Sequence, residues 1–393
     1  MTRCARVALF YDVNDWAFHN VARNVAHVID GFAFSLYGRN DWFGRKSVVQ
    51  RIALEADVMV FLWRFDILAF LDCLDGKTWR RFAGPDRPAL VTIVYDHLYQ
   101  DSQALEKMGN PFAVSDLVCV SSQRLRRAYE ASYDLPDIFC TLPDGVDLSR
   151  FAPSDEAPAG HRPLRLGWVG NSRWANTEAP DLKGRRTIFD AAIAVLRARG
   201  RAVEVHIADA GEARIPSAQM PDFYRQIDVL VCTSAMEGTP NPVLEAMASG
   251  AAIVTTDVGI VPEVLGPRQS EFIVRDRSAR AFADALDRLL SDRDLCTALR
   301  QENLGRRHQL SWTTRAPLWK GMLYAAQQVR FNHHRQSCRE ALNRYRWRPR
   351  SGIERARRLV AMNPLAFRAY ETLRQRAPGI VRQTKRLLER GSR

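Results

Sequence analysis

The sequence predicts an α/β protein built from two successive βαβ domains, and two observations predict it. Short apolar runs alternate with longer helical patterns over about the first 150 residues, and the same alternation restarts after a linker-like segment. Each apolar run is continuous rather than alternating, as expected for strands of a parallel sheet with helices on both faces. The 393 residues, 46% of them hydrophobic, are enough for two domains that each bury a core.

The first domain is predicted to span residues 1–153 and the second residues 164–312. Between them, residues 151–163 are rich in proline, alanine and polar residues, which is typical of a linker. The predicted strands are 7–10, 57–61, 90–94 and 117–121 in the first domain, and 164–169, 203–207, 229–232 and 252–255 in the second. The predicted helices of the second domain are 186–199, 242–249 and 279–290. After Trp312 the pattern is helical to the last residue.

Composition argues against several classes of protein. Charged residues interrupt every apolar stretch well before the roughly 20 residues that a membrane span needs, so no transmembrane segment is predicted. The N-terminal residues enter a strand pattern directly, without the features of a signal peptide, so we expect a cytoplasmic protein. The seven cysteines are scattered without a C-x-x-C pair, which argues against a disulfide framework and a zinc site. We expect reduced, mostly buried thiols.

Positive charge is concentrated at the end of the chain. Residues 1–330 contain 40 Lys and Arg against 40 Asp and Glu, whereas residues 331–393 contain 17 against 4 and account for the whole net charge of +13. Two helical patterns there, 353–359 and 380–390, are amphipathic with arginines on the polar side. An anionic membrane surface is the favoured partner. Nucleic acid comes second, because no reading motif accompanies the arginines. The alternative is that these helices pack on the chain's own domains.

The most informative segment is IDVLVCTSAMEGTPNPVLEAMASGAAIVTTDVG, residues 227–259. It predicts a strand, a glycine-containing loop, and a helix with Asn241 as N-cap, Pro242 in the first helical position and Gly250 as C-cap. The N-terminus of that helix would lie beyond the carboxyl end of a parallel strand, where open α/β sheets bind ligands. Its unpaired N–H groups, together with the amides of the loop, would suit a phosphate.

Two carboxylates flank this predicted phosphate site. Glu237 lies in the loop and Glu245 lies one turn into the helix, so both can point into one crevice and hydrogen-bond the hydroxyls of a sugar and a ribose. The same spacing occurs twice more in the chain, but only this pair straddles a strand end, a glycine loop and a capped helix. The alternative is that Glu237 is a solvated loop residue and that Glu245 merely favours the positive end of the helix.

Residues 237–250 resemble the E-x7-E signature of the retaining GT-B glycosyltransferases, a group that includes sucrose and glycogen synthases and many bacterial polysaccharide enzymes. Further segments are similar to the same family, in the expected order. They are VCVSSQRLRRAYE (118–130), LPDGVDLSRFAP (142–153), LRLGWVG followed by DLKG, MPDFYRQIDVLVCTSAMEG and LSWTTRAPLWKGMLY (310–324). The resemblance implies a GT-B fold of two Rossmann-like domains facing across a cleft. It also implies that residues 313–330 return to the first domain, before a basic helical extension over 331–393.

The resemblance assigns roles on the second domain. Glu237 would contact the donor sugar near its 3- and 4-hydroxyls, and Glu245 would hold the ribose. Lys183 in the LKG string would pair with the diphosphate, and the alternative is a surface lysine at a helix start. The other donor-binding candidates are Gly238, Thr239, Pro240 and Asn241 in the signature loop, and Gly170, Asn171 and Arg173 after the first strand. Asn171 stands where the family commonly has arginine, and Arg173 could supply that charge.

Two segments of the first domain complete the predicted cleft. Asp96 and His97 end a predicted strand, and the family has a histidine near this position that touches the donor sugar. The loop after the first strand lacks the family's glycine pair. Its acceptor-side candidates are instead Asn14, Asp15, Trp16 and His19. The alternative is that Trp16 is ordinary core and that His19 is a satisfied helix residue.

The resemblance implies a retaining transferase that moves a sugar from a nucleotide diphosphate donor to an acceptor hydroxyl, with Glu237, Lys183, His97 and Asp96 as the catalytic set. It implies no cofactor and no metal, and the D-x-D string at 292–294 is interpreted as a helix cap. We expect a glycan or lipid-linked acceptor, and peripheral attachment at the inner face of the plasma membrane. Two alternatives are a sugar-nucleotide epimerase or hydrolase of the same shape, and a non-catalytic protein that binds through its basic tail.

Overall fold

The structure is a computed structural model that describes residues 4–84, 86–97, 109–132, 138–153, 162–173, 181–329 and 333–347. Within these residues the chain forms two α/β domains, each centred on a parallel sheet. None of the helices in the described part of the chain combines the length and apolar character needed to cross a bilayer. All seven cysteines lie in the described residues as free thiols, and four of them are buried.

The first domain alternates strands and helices. Its strands are β1 (Ala5–Tyr11), β2 (Phe32–Gly38), β3 (Val58–Phe61), β4 (Ala89–Val94), β5 (Leu117–Val120) and β6 (Ile138–Thr141). Its helices are α1 (Ala17–Val28), α2 (Arg39–Trp42), α3 (Lys46–Glu55), α4 (Asp66–Asp72), α5 (Gly76–Ala83) and α6 (Gln123–Ser132). The strands pair in parallel in the order β2-β1-β3-β4-β5-β6, so the carboxyl ends of β1 and β4 open at the same edge.

The second domain repeats the pattern. Its strands are β7 (Leu164–Gly170), β8 (Val203–Asp209), β9 (Val229–Cys232), β10 (Ala252–Thr256) and β11 (Ile273–Val274). Its helices are α7 (Ala191–Ala198, after a π-helical turn over Arg185–Asp190), α8 (Met220–Arg225), α9 (Asn241–Ala248), α10 (Val261–Val264), α11 (Pro267–Ser270), α12 (Ala279–Ser291) and α13 (Arg293–Arg306). The strands pair in parallel in the order β11-β10-β9-β7-β8.

All eight predicted strands are present, and their ends differ from the prediction by no more than two residues. Three further strands, β2, β6 and β11, were not predicted, and all three lie at the edges of their sheets. β2 alternates between half-buried and exposed residues, and β11 is only two residues long. An edge strand is covered less completely than a central one, so it lacks the continuous apolar run on which the prediction relied.

Two chain segments run side by side where the domains join. The Val146 N–H donates to the Leu310 carbonyl at 2.7 Å, and the Trp312 N–H donates to the Val146 carbonyl at 3.3 Å. The next helix, α14 (Trp312–Gln328), then leaves the second domain. Its buried residues Trp319 and Leu323 share an apolar cluster with Val21 of α1, so the helix returns to the first domain as the resemblance implies.

The first part of the basic extension is a structural part of the first domain. Helix α15 (His333–Trp347) buries Cys338, Ala341, Leu342 and Tyr345 in the same apolar cluster as α3, α4 and β3. The Tyr345 hydroxyl donates to the Leu68 carbonyl at 3.3 Å, and the Cys338 thiol donates to the Ser115 carbonyl at 2.8 Å. The predicted amphipathic helices at 353–359 and 380–390 lie outside the described residues.

Removing the buried side chain of α15 should destabilise the first domain. Leu342 is fully buried, so Leu342→Ala should lower the free energy of unfolding by about 2 to 5 kcal/mol through lost burial and the cavity left behind. Urea unfolding measures this change. The neighbouring Asn343 is exposed, and Asn343→Ala should change stability by no more than about 0.5 kcal/mol. Equal effects of the two substitutions would contradict the packing of α15.

Candidate active site

The signature loop, residues 233–240, meets the end of β4 across the domain interface. A Cβ atom on Gly238 would collide with the carbonyl oxygen of Tyr95 and press on the Ser121 hydroxyl, so only glycine allows this approach. From within the second domain, the Ile260 N–H donates to the Gly238 carbonyl at 3.0 Å. The loop is therefore held on both sides, and Asp96 and His97 follow directly after its contact at Tyr95.

The helix after the loop differs from the prediction at its beginning and agrees with it at its end. Asn241 is the first residue of α9 rather than its N-cap, and the residue before it, Pro240, supplies no side-chain cap. The Asn241 side chain interacts instead with the buried carboxyl of Asp144. Gly250 adopts φ +82° after the last turn, which is the left-handed C-cap that was predicted. The N–H groups that open α9 thus carry no side-chain cap in the described structure.

Thr239 adds a polar group at this helix end. Its hydroxyl is buried and has no hydrogen-bond partner among the described residues, while its carbonyl accepts from the Asn241 N–H at 2.9 Å. Pro240 is buried and its carbonyl accepts from the Val243 N–H at 2.8 Å. The Asn241 and Val243 N–H groups are thus bonded within the turn and Pro242 has none. The Thr239 hydroxyl is the buried polar group without a described partner here, and the positive end of the helix dipole favours an anionic ligand beside it.

Lys183 forms an ion pair with Glu237 of the signature loop. Both side chains are largely buried, with 17% and 18% of their surface exposed. The lysine reaches the glutamate because its own loop is bonded to the end of β9. The Ala235 N–H donates to the Leu182 carbonyl at 2.8 Å, and the Thr233 hydroxyl donates to the Lys183 carbonyl at 2.7 Å. The cation and the carboxylate are therefore positioned by backbone contacts rather than by each other alone.

Arg277, which the sequence reasoning did not single out, joins the same two loops. Its guanidinium donates at 2.9 Å to the Thr233 carbonyl and at 2.9 Å to the Asp181 carbonyl. The Asp181 carboxylate in turn accepts from the backbone N–H groups of Arg186 and Thr187, each at 2.8 Å. Burial would raise the pKa of Asp181, but these N–H donors outweigh it and lower that pKa. The carboxylate of Asp181 thus occupies the helix end beside Lys183.

Glu245 lies in an interdomain cavity of about 230 Å³. Its Oε2 accepts a hydrogen bond from the Tyr224 hydroxyl at 2.8 Å. Burial raises the pKa of Glu245 to about 7, against the opposing effects of that hydrogen bond and of the charge of Arg150. The cavity also brings together four other predicted site residues: Asp15, Trp16, Gly170 and Asn241. Among the described lining residues, neither Lys183 nor Glu237 is included.

Residues after β7 form a compact turn at the edge of this cavity. The buried carboxylate of Asp209, which the sequence reasoning missed, accepts from the Ser172 N–H at 2.9 Å and the Gly211 N–H at 2.8 Å. The Asn171 side chain accepts from the Arg173 N–H at 3.0 Å. Arg173 is exposed and packs beside Gly211, and Asn171 therefore shapes the turn rather than supplying the charge that the family's arginine would.

Asp96 and His97 have different environments. The Asp96 carboxylate pairs with the fully buried guanidinium of Arg64 at 3.0 Å, and its carbonyl accepts from the Tyr129 hydroxyl at 3.1 Å. Burial lowers the pKa of His97, and the charges of Asp96 and Arg124 act on it in opposite directions. A lowered pKa favours the neutral imidazole near pH 7, which can both donate and accept a hydrogen bond.

The four candidate residues after β1 differ in position: two make hydrogen bonds that order the loop, and two border the interdomain cavity. Asn14 accepts from the Tyr11 hydroxyl at 2.7 Å, and His19 Nδ1 accepts from the Asp15 N–H at 2.9 Å while its ring stacks on Tyr11. These bonds order the loop, in which Asp15 has φ +56°. Asp15 and Trp16 then border the interdomain cavity. The contacts of His19 are therefore those of the alternative interpretation, in which its ring finds its hydrogen-bond and packing partners within the first domain.

The described residues contain no group of three or more His, Cys, Asp or Glu side chains arranged to hold a metal ion. The capping interpretation of the D-x-D string is confirmed, since the Asp292 carboxylate accepts from the Leu295 N–H at 2.8 Å at the start of α13. Independence from metal and cofactor stays a prediction.

Comparison with known proteins identifies the second domain. Residues 213–306, which include both signature glutamates, match the family described as Glycosyl transferases group 1. The resemblance to that family is confirmed. Solved structures with similar folds include HepE of Anabaena with UDP-glucose (TM-score 0.61, 13% identity, 81% of this chain and 99% of that chain). Another is sucrose-phosphate synthase of Thermosynechococcus elongatus (TM-score 0.59, 15% identity, 82% and 98%). These likenesses confirm the predicted GT-B fold.

Curated relatives of this chain include three named glycosyltransferases. One is the putative teichuronic acid biosynthesis glycosyltransferase TuaC of Bacillus subtilis, 30% identical over 37% of this chain and 40% of the relative. The lipopolysaccharide core biosynthesis mannosyltransferase LpsB of Rhizobium meliloti is 27% identical over 41% and 53%. The D-inositol 3-phosphate glycosyltransferase of Nocardia farcinica is 26% identical over 60% and 58%. The chain thus matches about 40 to 58% of the length of these relatives.

The raised pKa of Glu245 predicts a pH dependence of stability. Its carboxyl titrates near pH 7 in the folded state against 4.5 for an unperturbed glutamate, so its contribution is complete below pH 4.5 and is lost as the pH rises through 7. Glu245→Gln should therefore match the wild type near pH 4.5 and exceed its unfolding free energy at pH 8. The gain should be about 1 kcal/mol or more, because one pKa unit corresponds to about 1.4 kcal/mol.

Urea unfolding between pH 4.5 and 8 measures this difference. Glu271→Gln, which alters an exposed glutamate far from the cavity, is the matched control and should run parallel to the wild type. A Glu245→Gln curve that also runs parallel to the wild type over this range would disprove the raised pKa.

Proposed function

We propose that this chain is a retaining glycosyltransferase that moves a sugar from a nucleotide diphosphate donor to an acceptor hydroxyl. The observation that carries the proposal is the arrangement around the signature loop. The loop carries Glu237, paired with Lys183, and leads into the start of α9, with Glu245 in the interdomain cavity. Cation, helix amides and a hydroxyl-binding carboxyl are the groups that a nucleotide sugar requires.

In this proposal the nucleoside enters the interdomain cavity and its ribose hydroxyls bond to Glu245, which Tyr224 orients. The diphosphate reaches the backbone N–H groups of Gly238 and Thr239 and the hydroxyl of Thr239. Glu237 holds the donor sugar at its 3- and 4-hydroxyls. Support for such a donor comes from the structural relative HepE of Anabaena, whose structures contain UDP, UDP with glucose, and UDP-glucose.

The chemistry breaks the bond between the anomeric carbon and the diphosphate, so negative charge develops on the leaving phosphate. Lys183 and the positive end of α9 stabilise that charge without a metal. The acceptor hydroxyl attacks from the same face and gives its proton to the departing phosphate oxygen. His97, with a lowered pKa, supplies a neutral imidazole to the donor sugar, and Asp96 keeps Arg64 neutralised beside it.

The acceptor in this proposal is a glycan or a lipid-linked glycan at the cytoplasmic face of the membrane. It enters along the loop after β1, where Asp15 and Trp16 border the cavity and Asn14 and His19 order the loop. The names of two relatives support acceptors of this kind, since they refer to teichuronic acid and lipopolysaccharide core. A third name refers to D-inositol 3-phosphate, a phosphorylated cyclitol rather than a glycan.

A thermal-shift screen with UDP-, GDP-, ADP- and dTDP-sugars tests the proposal. At least one donor should raise the melting temperature of the wild type, and Glu245→Ala should lose that shift because it removes the ribose ligand. The control is Glu271→Ala, which removes an exposed glutamate from a pair with the same spacing and should keep the shift. No response to any of the four donors would contradict the proposal.

Product analysis completes this test with the donor that binds. Proton NMR should show a glycoside whose anomeric configuration equals that of the donor sugar, released together with free nucleoside diphosphate. An altered sugar nucleotide, or a free sugar in the presence of a competent acceptor, would favour the epimerase or hydrolase alternative instead.

Removal of residues 348–393 tests the membrane proposal. This segment carries 13 Lys and Arg against 3 Asp and Glu, whereas an earlier truncation would also remove the buried helix α15. The full chain should sediment with phosphatidylglycerol vesicles, and the truncated chain should lose most of that binding. Pure phosphatidylcholine vesicles are the control for charge. Equal sedimentation of both chains, or binding that persists in high salt, would disprove an electrostatic role of the tail.

A further inference from the structure

A second cavity, of about 550 Å³, opens at the mouth of the interdomain cleft. We call it the arginine cavity, and its lining is Asp15, Arg23, Arg150, Arg214, Pro216, Ser217 and Ala218. It is continuous with the cavity of Glu245, because Asp15, Arg150, Arg214 and Ser217 line both. Three cations and one carboxylate therefore face this space.

The three arginines come from three separate parts of the chain. Arg23 lies on α1 of the first domain, Arg150 lies in the segment after β6, and Arg214 lies in the loop after β8 of the second domain. Since the residues are far apart in sequence, only the assembled domains bring their guanidinium groups to one opening.

Two of these guanidinium groups are anchored in place. Arg150 Nη2 donates to the Ser217 carbonyl at 2.7 Å. Arg214 Nη2 donates to the Asp15 carbonyl, and its guanidinium stacks 5.1 Å above the ring of Trp16. Each anchor uses a backbone carbonyl, so the positive charge is not neutralised. An arginine has five N–H donors, which leaves most of them for a ligand.

The charge pairing of these arginines differs from that of other arginines in the chain. Arg87 and Arg162 pair with buried Asp116 and Asp228 at distances of 2.5 to 2.6 Å. Within the described residues, Arg23, Arg150 and Arg214 lie in no ion pair. Solvated arginines are common on protein surfaces, but residues 1–330 are balanced in charge, with 40 Lys and Arg against 40 Asp and Glu. In such a body, three arginines that converge on one cavity outside any ion pair indicate a site for an anionic ligand.

We propose that the arginine cavity is a phosphate-binding subsite that receives a phosphate group on the acceptor. This inference rests on the proposed transfer reaction, which places the donor diphosphate near Lys183, a residue that does not line the arginine cavity. Guanidinium groups match phosphate oxygens with paired, charge-assisted hydrogen bonds. A phosphate between Arg23 and Arg214 also connects the two domains, so it and the donor nucleotide should strengthen each other's binding.

The test is a titration with inorganic phosphate at constant ionic strength, followed by isothermal calorimetry on the full chain. The variants are Arg23→Gln, Arg214→Gln and the double substitution, all at exposed positions. The control is Arg51→Gln, an exposed arginine on α3 that does not line the cavity. Phosphate affinity should fall about tenfold or more in the double variant, because each substitution removes charge-assisted hydrogen bonds to the phosphate oxygens. The control should bind phosphate as the wild type does.

Two kinds of result would overturn the subsite. One is the absence of the expected effect, either because the double variant binds phosphate as tightly as the Arg51→Gln control or because the wild type does not bind phosphate. The other is loss of phosphate binding when the wild type is saturated with the nucleoside diphosphate of its donor, because phosphate would then occupy the donor's own site. Retained or strengthened binding under saturation supports a separate acceptor subsite. Failure of the donor screen would instead disprove the transfer reaction, whatever the arginine variants do.

Discussion

The close backbone contact between Gly238 and the carbonyl of Tyr95 is the constraint on which the rest of the cleft depends. It joins the signature loop of the second domain to the end of β4 in the first, and no side chain could occupy that position. Because Ile260 holds the loop from behind, the loop has little freedom to relax away from the interface. This contact positions Glu237, the residue before Gly238, and α9, which begins three residues after it.

Burial gives the cleft its electrostatic character. The carboxyls of Glu245 and Asp144 both lie in protein surroundings that raise their pKa values to about 7, so they carry less negative charge than exposed carboxylates would. The cations nearby are held by backbone carbonyls, as Arg150 and Arg214 are, or by a carboxylate, as Lys183 is by Glu237. Such a cleft favours an anionic ligand.

The first domain is assembled from both ends of the described chain. Helices α14 and α15 return to it after the second domain is complete, and each contributes buried apolar residues to its core. A truncation at residue 331, where the excess of positive charge begins, would therefore remove buried residues from the core of the first domain. Residues 348–393, with 13 Lys and Arg against 3 Asp and Glu, follow directly after α15 in the sequence.

The sequence by itself determined the two parallel α/β domains, the signature helix with its C-cap at Gly250, and the candidate pair of glutamates. Those features depend on local periodicity, on glycine and proline chemistry, and on motifs that are contiguous in the chain. Tertiary structure alone decided that Arg277 joins the loop of Lys183 to the end of β9, and that Asn241 faces Asp144 instead of capping its helix. These contacts join residues tens of positions apart, and their strength comes from burial, which no local pattern records.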